Sequence, residues 1–460
     1  MNPMRVYSRD RIVSPLGFLL VLSILAIGTA HAAEPAPPRL RVVVETDAGG
    51  DPDDEQSLVR FLLYANEWDV EAIIANRPSA RDRENLNPAR TGLGIVHRLV
   101  DAYGACHANL ARHDARFPSA DSLRKLCVAG YDDTEEAVDR LIAIVDRPDP
   151  RPVWYSDWGT DHGAALNNLQ RALDRVLRDR GPTGYAKFKD KLRLVSAEKF
   201  GDHTTKHEPP FRLLVEASRP ELEGRRWYHR FSPLTAKAGG FDLKRDVLTS
   251  HGPLGALYPT NTSLPQKEGD SLYFLYLVPN GLSDPEEPTW GCWGGRHGRN
   301  ENYKDKPYYW ANQKDRIRGT TSRDLTLARW AVDLQNDFRA RLDWCVNPKE
   351  KANHAPIAIV NDSRDRSILR RSAKPGDRME FDASRSTDPD GDNLAFEWFV
   401  YSEAGSYRGS VELMGAGTAK ATLVIPSDAV GSTIHLVLAV RDTGLPALAA
   451  YRRIVVTVER

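Results

Sequence analysis

Six carboxylates fall within the eleven positions from Glu45 to Glu55: Glu45, Asp47, Asp51, Asp53, Asp54 and Glu55. Like charges packed this closely disfavour one another's ionised forms unless a cation neutralises them. The donors are all hard oxygens, which suit Ca²⁺ or Mg²⁺ and not zinc. Gly49 and Gly50 let the backbone turn tightly between them. Asp53 or Asp54 could cap a following helix, favourable at its positive end. Six carboxylates are more than a cap requires, so the loop reads as a metal or ligand site. Asp157 and Asp284 each follow an apolar run that reads as a strand. Carboxylates gathered from several strand ends would complete a divalent-cation site. A second unusual stretch is Trp290-Gly291-Cys292-Trp293-Gly294-Gly295-Arg296. Its indoles offer flat apolar faces and Arg296 a fixed donor fork, a set that suits sugar stacking. A buried tryptophan pair pinned by a disulfide through Cys292 fits the same residues equally well.

Positioning these groups requires a sheet with its strand ends on one side. Arg41–Val44 is a short apolar strand, and Glu55–Asn66 carries Leu58, Phe61, Leu62 and Ala65 at helical spacing. Val70–Ala75, Val153–Ser156, Leu192–Val195 and Ser271–Val278 read as further strands, Ala164–Leu177 and Ser322–Trp344 as helices. This alternation predicts an α/β fold, an open and mostly parallel sheet flanked by helices. Ligands then bind outside the carboxyl ends of the strands, where the acidic loop sits. After Pro348 the texture changes to short alternating runs separated by Gly, Pro, Asp and Ser, which predicts a small all-β sandwich. The expected organisation is 1–32 leader, 38–348 α/β domain and 354–460 sandwich. In the sandwich, Asp388-Pro389-Asp390-Gly391-Asp392 reads either as an Asx-turn or as a calcium ligand set.

Composition narrows the function classes. The 460 residues carry 63 Lys+Arg and 63 Asp+Glu, a formal net charge of +0. That balance argues against nucleic-acid binding, which needs a basic excess. Arg5, Arg9 and Arg11 precede the apolar run Leu16–Ile27 and the small-residue pattern Ala30-His31-Ala32. Together they read as a secretory leader, so the protein is expected in the periplasm or outside the cell, with no membrane span after cleavage. Export permits disulfides among Cys106, Cys127, Cys292 and Cys345. Sequence proximity favours Cys106–Cys127 and leaves Cys292–Cys345, with free buried thiols as the alternative.

Glu45-Thr46-Asp47 with Asp53-Asp54 resembles the signature of calcium-dependent nucleoside hydrolases. The wider chain resembles a secreted bacterial family of cellulose-binding proteins that join a nucleoside hydrolase-like domain to an Ig- or cadherin-like sandwich. Further similar stretches are Asn109-Leu110 with His113, Phe117–Ala120, Asn280–Pro285, Trp290–Arg296 and Asn336–Arg339. The resemblance implies Asp47 as general base and metal ligand. It implies Asp54 and Asp284 as further calcium ligands, a carbonyl near Trp158–Thr160 in the shell, and Asp53 on sugar hydroxyls. Ser196–Asp202 stands where ribose contacts would fall, with Asp202 as its carboxylate. The implied activity is hydrolysis of an N-ribosyl or related glycosyl bond. A non-catalytic carbohydrate-binding protein, using Trp290, Trp293 and Arg296, is the alternative. The ligand is a small sugar, a nucleoside or a polysaccharide, and an oligomer is open.

Overall fold

The computed structural model describes residues 39–81, 91–159, 167–196, 213–214, 231–262, 264–299 and 309–460. Ala36–Arg460 forms one compact unit. A parallel sheet is built from β1 (Arg41–Thr46), β2 (Asp69–Ala75), β3 (Cys127–Ala129), β4 (Val153–Asp157) and β5 (Leu192–Ser196), in the order β3-β2-β1-β4-β5. Helices α1 (Asp53–Leu63), α2 (Gly92–His113), α3 (Ala120–Arg124), α4 (Glu136–Asp146) and α5 (Asn168–Asp190) connect them. The α/β expectation is met.

Strand β1 is central and buried on both faces. Val42 and Val44 pack into one core with α1 and α2, while Val43 faces the other with α4 and α5. That alternation is the period of two that a pleated strand imposes. The chain leaves β1 for β2 on one side and later returns to β4 on the other. The strand order therefore reverses beside β1, and the crevice at its carboxyl end is the natural ligand position.

Three expected elements differ. Ser271–Val278, read as a strand, begins with the helix Ser271–Leu275, all five residues buried. A short apolar run buried on every side has no periodicity with which to tell strand from helix. The helix expected at Ser322–Trp344 is regular over Ala331–Trp344. The helix expected to stop at Leu177 runs on as α5, broken at Gly181 (φ 65) before Pro182.

Small strands follow: β6 (Leu213–Leu214), β7 (His297–Arg299) and β8 (Tyr309–Asn312) form one sheet, and β9 (Asp315–Ile317) pairs with β10 (Thr320–Ser322). Two further sheets make the sandwich: β11 (Leu369–Ala373), β17 (Ala449–Val458), β16 (Thr433–Arg441) and β13 (Ala395–Val400) against β12 (Arg378–Asp382), β15 (Lys420–Val424) and β14 (Glu412–Met414). Phe381, Trp398, Leu423, Leu436 and Ile454 fill the space between them. The outer face of β16–β17 is buried too. Val437, Ala439 and Tyr451 join the α/β core, Tyr451 N–H donates to Asn280 O (3.2 Å) and Arg453 N–H to Gly281 O (3.0 Å).

The tryptophan segment lies in this joint. Trp290 meets the edge of His435 at 4.9 Å, and Trp293 meets Tyr451 at 6.3 Å and 88°. Trp290 and Trp293 are 8% and 2% exposed. Arg296 donates to Asp315 (2.8 Å) and to Lys314 O (2.7 Å). The sugar-platform reading of Trp290, Trp293 and Arg296 is corrected: their faces are spent on packing β16–β17 against the α/β body. The disulfide expectation is corrected as well. All four cysteines are free and buried. Cys106 in α2 hydrogen-bonds Cys345, just past the helix Ala331–Trp344, so the fold brings together cysteines far apart in sequence. Among the described residues, no helix is long and apolar enough to cross a membrane.

Two buried histidines, His435 at the joint and His297 in β7, carry a pH dependence. Burial, helped by Arg296, lowers the His297 pKa to about 4; burial, with Arg453 and Arg370, lowers His435 to about 2. Both are neutral in the folded protein and protonate near 6.5 once unfolded. Their stabilisation is full above pH 6.5 and is lost as pH falls toward the folded values. Each costs about 1.4 kcal/mol per pH unit in that window. Urea midpoints at pH 7 and pH 5 should differ accordingly, and His435→Gln should flatten the slope. An unchanged slope would refute the assignment.

Candidate functional site

The acidic loop leaves β1 at Thr46 and enters α1 at Asp53, so Asp53, Asp54 and Glu55 occupy the first helical turn, at the positive end of the helix dipole. Gly49 (φ 96) is one position where the loop needs a residue without a Cβ. Its N–H donates to Glu55 Oε1 (3.1 Å), closing the loop on the helix. Thr46 Oγ1 donates to Asp54 Oδ1 and accepts from Ala48 N–H (3.1 Å).

Beneath the loop, Glu45 is buried completely and is a structural hub. Asn76 Nδ2 (3.0 Å), Asn168 Nδ2 (3.0 Å) and the Tyr155 hydroxyl all donate to it. Burial raises its pKa, and these hydrogen bonds oppose the rise. Through them β1, the end of β2, β4 and the start of α5 are held in register. Asn76 also donates to Gly159 O (2.8 Å), fixing the turn after β4. A Cβ on Gly159 (φ 143) would lie 3.3 Å from Asp47 Oδ1, so glycine there leaves room beside that carboxylate.

Asp53, Asp54 and Asp270 bring carboxylate oxygens within 4.8 Å of one another, all three residues buried. The Asp54 pKa is well above the usual carboxylate range. Burial is the main cause, followed by the charges of Asp270, Asp47 and Asp53, and a hydrogen bond joins Asp54 to Asp47. Asp47 is half-buried. Lys267 reaches in from the same segment as Asp270, its Nζ against Asp51 and 3.4 Å from Asp53 Oδ2. Burial lowers the Lys267 pKa to about 8, against the pull of Asp270 and Asp47. The oxygen-only donor set, crowded enough to push a buried carboxyl's pKa well up, fits a hard divalent cation.

The structure thus brings Asp47, Asp53 and Asp54 together as expected from sequence. It does not bring Asp284 to them. Asp284 accepts from Arg370 (3.0 Å) and from Glu286 N–H (3.1 Å), beside the sandwich. Asp270 takes the third place instead. The cause is the misread run at 271–278: a strand presents its functional acid after it, whereas a helix here presents Asp270 before it. Lys267-Glu268-Gly269-Asp270, polar and abutting that apolar run, was the available signal. Asp157 is completely buried and accepts from Asn167 Nδ2 (3.1 Å) under the site. Asp202 and Thr160 lie outside the described residues.

Residues 41–297 match the model of the cellulose-binding Sde182, nucleoside hydrolase-like domain, and residues 378–458 match that of the cellulose-binding protein Sde0182, C-terminal domain. A solved structure from Saccharophagus degradans, described as a nucleoside hydrolase-related hypothetical protein associated with carbohydrate metabolism, is 32% identical. The match covers 92% of this chain and 100% of that one, with a TM-score of 0.75. A PKD domain from the KIAA 1837 protein matches 20% of the chain and 79% of its own, at 20% identity and a TM-score of 0.16. Among curated proteins, none matches the chain. With its α/β body matched over 41–297 and its sandwich over 378–458, this chain belongs to the family of cellulose-binding proteins with a nucleoside hydrolase-like domain.

Proposed function

We propose that the strand-end cluster binds Ca²⁺ and a sugar, and that the protein, exported from the cell, hydrolyses a glycosyl bond of that sugar. The observation that carries this reading is the meeting of Asp53, Asp54 and Asp270 within 4.8 Å. A bound divalent cation would neutralise these carboxylates and acidify a water. Asp47, half-buried and hydrogen-bonded to Asp54, takes the proton from the water as its oxygen bonds to the anomeric carbon; the bond from that carbon to the leaving group breaks, and the leaving group takes its proton from solvent. Asp53 accepts from sugar hydroxyls, and Lys267 Nζ donates to oxygens of the ligand. The nucleoside hydrolase-like fold of the family supports the reading.

A second reading is capture without turnover, which the family's cellulose-binding description favours. The same cation and carboxylates then grip a polysaccharide end. A panel of nucleosides and aryl glycosides at high protein concentration, with Ca²⁺ and with chelator, separates the two. Calcium-dependent release of base or aryl alcohol is expected. Silence across the panel, with calcium-dependent retention on cellulose, would select capture. Neither turnover nor retention would sink both.

A further inference from the structure

Helix α2 lays Cys106, Asn109 and His113 along the segment that follows the helix Ala331–Trp344. They stand three and four positions apart, so they share one face of α2. Asn109 Nδ2 donates to Cys345 O (3.0 Å), and His113 Nε2 lies 2.9 Å from Asn347 O. These contacts set the register of α2 against the chain as it leaves the helix. In that register the sulfurs of Cys106 and Cys345 share a hydrogen bond. A Cβ on Gly252 (φ 77) would lie 3.3 Å from Cys106 Sγ and 3.7 Å from Cys345 Cβ, so one glycine packs against both side chains. Cys106 and Cys345 are 1% and 4% exposed.

The other two cysteines stand differently. The Cys127 thiol donates to Leu123 O (3.3 Å), and burial pushes it up to about 12. Cys292 lies against Tyr276 O (3.7 Å) and Gly295 O (3.8 Å), and burial raises its thiol too. Their sulfurs face carbonyls, where those of Cys106 and Cys345 face each other. The hydrogen bond from Cys345 lowers the Cys106 thiol to about 7, against its burial and with help from the backbone at Leu254. Cys345 moves well up, chiefly through the same bond. One sulfur is therefore a nucleophile near neutral pH and its neighbour keeps a proton to give.

We propose that Cys106 and Cys345 are an oxidation site, closed into a disulfide by exchange with a small disulfide such as oxidised glutathione. The Cys106 thiolate bonds to one glutathione sulfur, and the glutathione S–S bond breaks. The thiolate released takes the proton of Cys345. Cys345 then bonds to the Cys106 sulfur, and the mixed disulfide breaks to release the second glutathione, which regains from solvent the proton Cys106 had lost. Two protein thiols are oxidised and one small disulfide is reduced to two thiols. Because both sulfurs are buried, exchange takes place as this segment opens, and the closed bridge is then shut away from reductant. A bridge between residues more than two hundred positions apart closes a long loop, the kind that most restricts the unfolded chain. It fastens α2, part of the α/β core, to the start of the linker into the sandwich. The bridge is independent of the activity proposed for the strand-end cluster.

The test uses the full chain, reduced and then equilibrated with oxidised and reduced glutathione in urea just short of the unfolding transition. Thiols are alkylated in strong denaturant and the chain is mapped by mass spectrometry. Alkylation of Cys127 and Cys292 alone is expected, with a peptide joining Cys106 to Cys345 within one chain. The thermal midpoint of the oxidised chain should lie about 5 °C above that of the reduced chain. In Cys345→Ala that redox dependence should vanish. Alkylation of all four thiols in the wild-type chain overturns the proposal, as does a bridge through Cys127 or Cys292. So does a midpoint that responds equally to oxidation in Cys345→Ala.

Discussion

Glu268→Gln should destabilise the fold by about 3–5 kcal/mol, the cost of leaving one member of a buried ion pair without its partner. Arg60 and Glu268 have side chains 0% and 0% exposed. Arg60 Nη2 donates to Glu268 Oε1 (2.9 Å) and to Gln335 Oε1 (3.1 Å). Tyr258 (2.7 Å), Ser271 (2.6 Å) and Gln266 (3.0 Å) also donate to the Glu268 carboxylate. The guanidinium lies 3.7 Å over the Phe338 ring. Neutralising Glu268 strands a cation with no route to water. The check is a urea midpoint, with Arg60→Met/Glu268→Leu alongside. The double variant should recover only part of the loss: it removes the stranded charge but leaves Tyr258, Ser271 and Gln266 without their acceptor. A wild-type midpoint for Glu268→Gln would contradict the account.

The same pair matters to the site, because Glu268 lies between Lys267 and Asp270. Gln56 in α1 accepts from the N–H groups of Lys267 (2.8 Å) and Glu268 (3.0 Å) and donates to Pro259 O (2.8 Å). Helix α1 thus presents Asp53 and Asp54 from its first turn and holds the segment that brings Asp270 from its second. Two acids more than two hundred residues apart meet because one helix anchors both.

The sequence made half of this arrangement readable. Val42, Val43 and Val44 announce a strand buried on both faces, and the crowding from Glu45 to Glu55 announces a loop whose charges need a partner. Local spacing carries such features. Asp270 was hidden because Ser271–Leu275 is buried all round, so its pattern says nothing of its period. Trp290 and Trp293 looked like ligand platforms because an indole face is the same chemistry toward a sugar as toward Tyr451. What decides between them is what stands opposite, which only the docking of β16–β17 determines. The pairing of Cys106 with Cys345 is long-range in the same sense.

Asp54→Asn and Asp47→Asn should fail differently at the strand-end site. Asp54 is buried, held by Thr46, and crowded by the charges of Asp270, Asp47 and Asp53. Asparagine relieves that repulsion, so the variant should be at least as stable as the parent without calcium. It should nevertheless lose more than about 100-fold in calcium affinity at this site, since a direct oxygen ligand is weakened. Asp47 is half-buried beside the space that Gly159 leaves clear. If Asp47 is the general base as proposed, its replacement should lower turnover by about 10²- to 10⁴-fold, with calcium affinity reduced less than in Asp54→Asn. Calorimetry and stability measured on both variants, beside rates on any substrate the panel yields, test the division of labour. Equal losses of affinity and rate in the two variants would mean that both carboxylates serve the cation alone. In that event the site would grip its ligand without activating water, and capture would be the function of this domain.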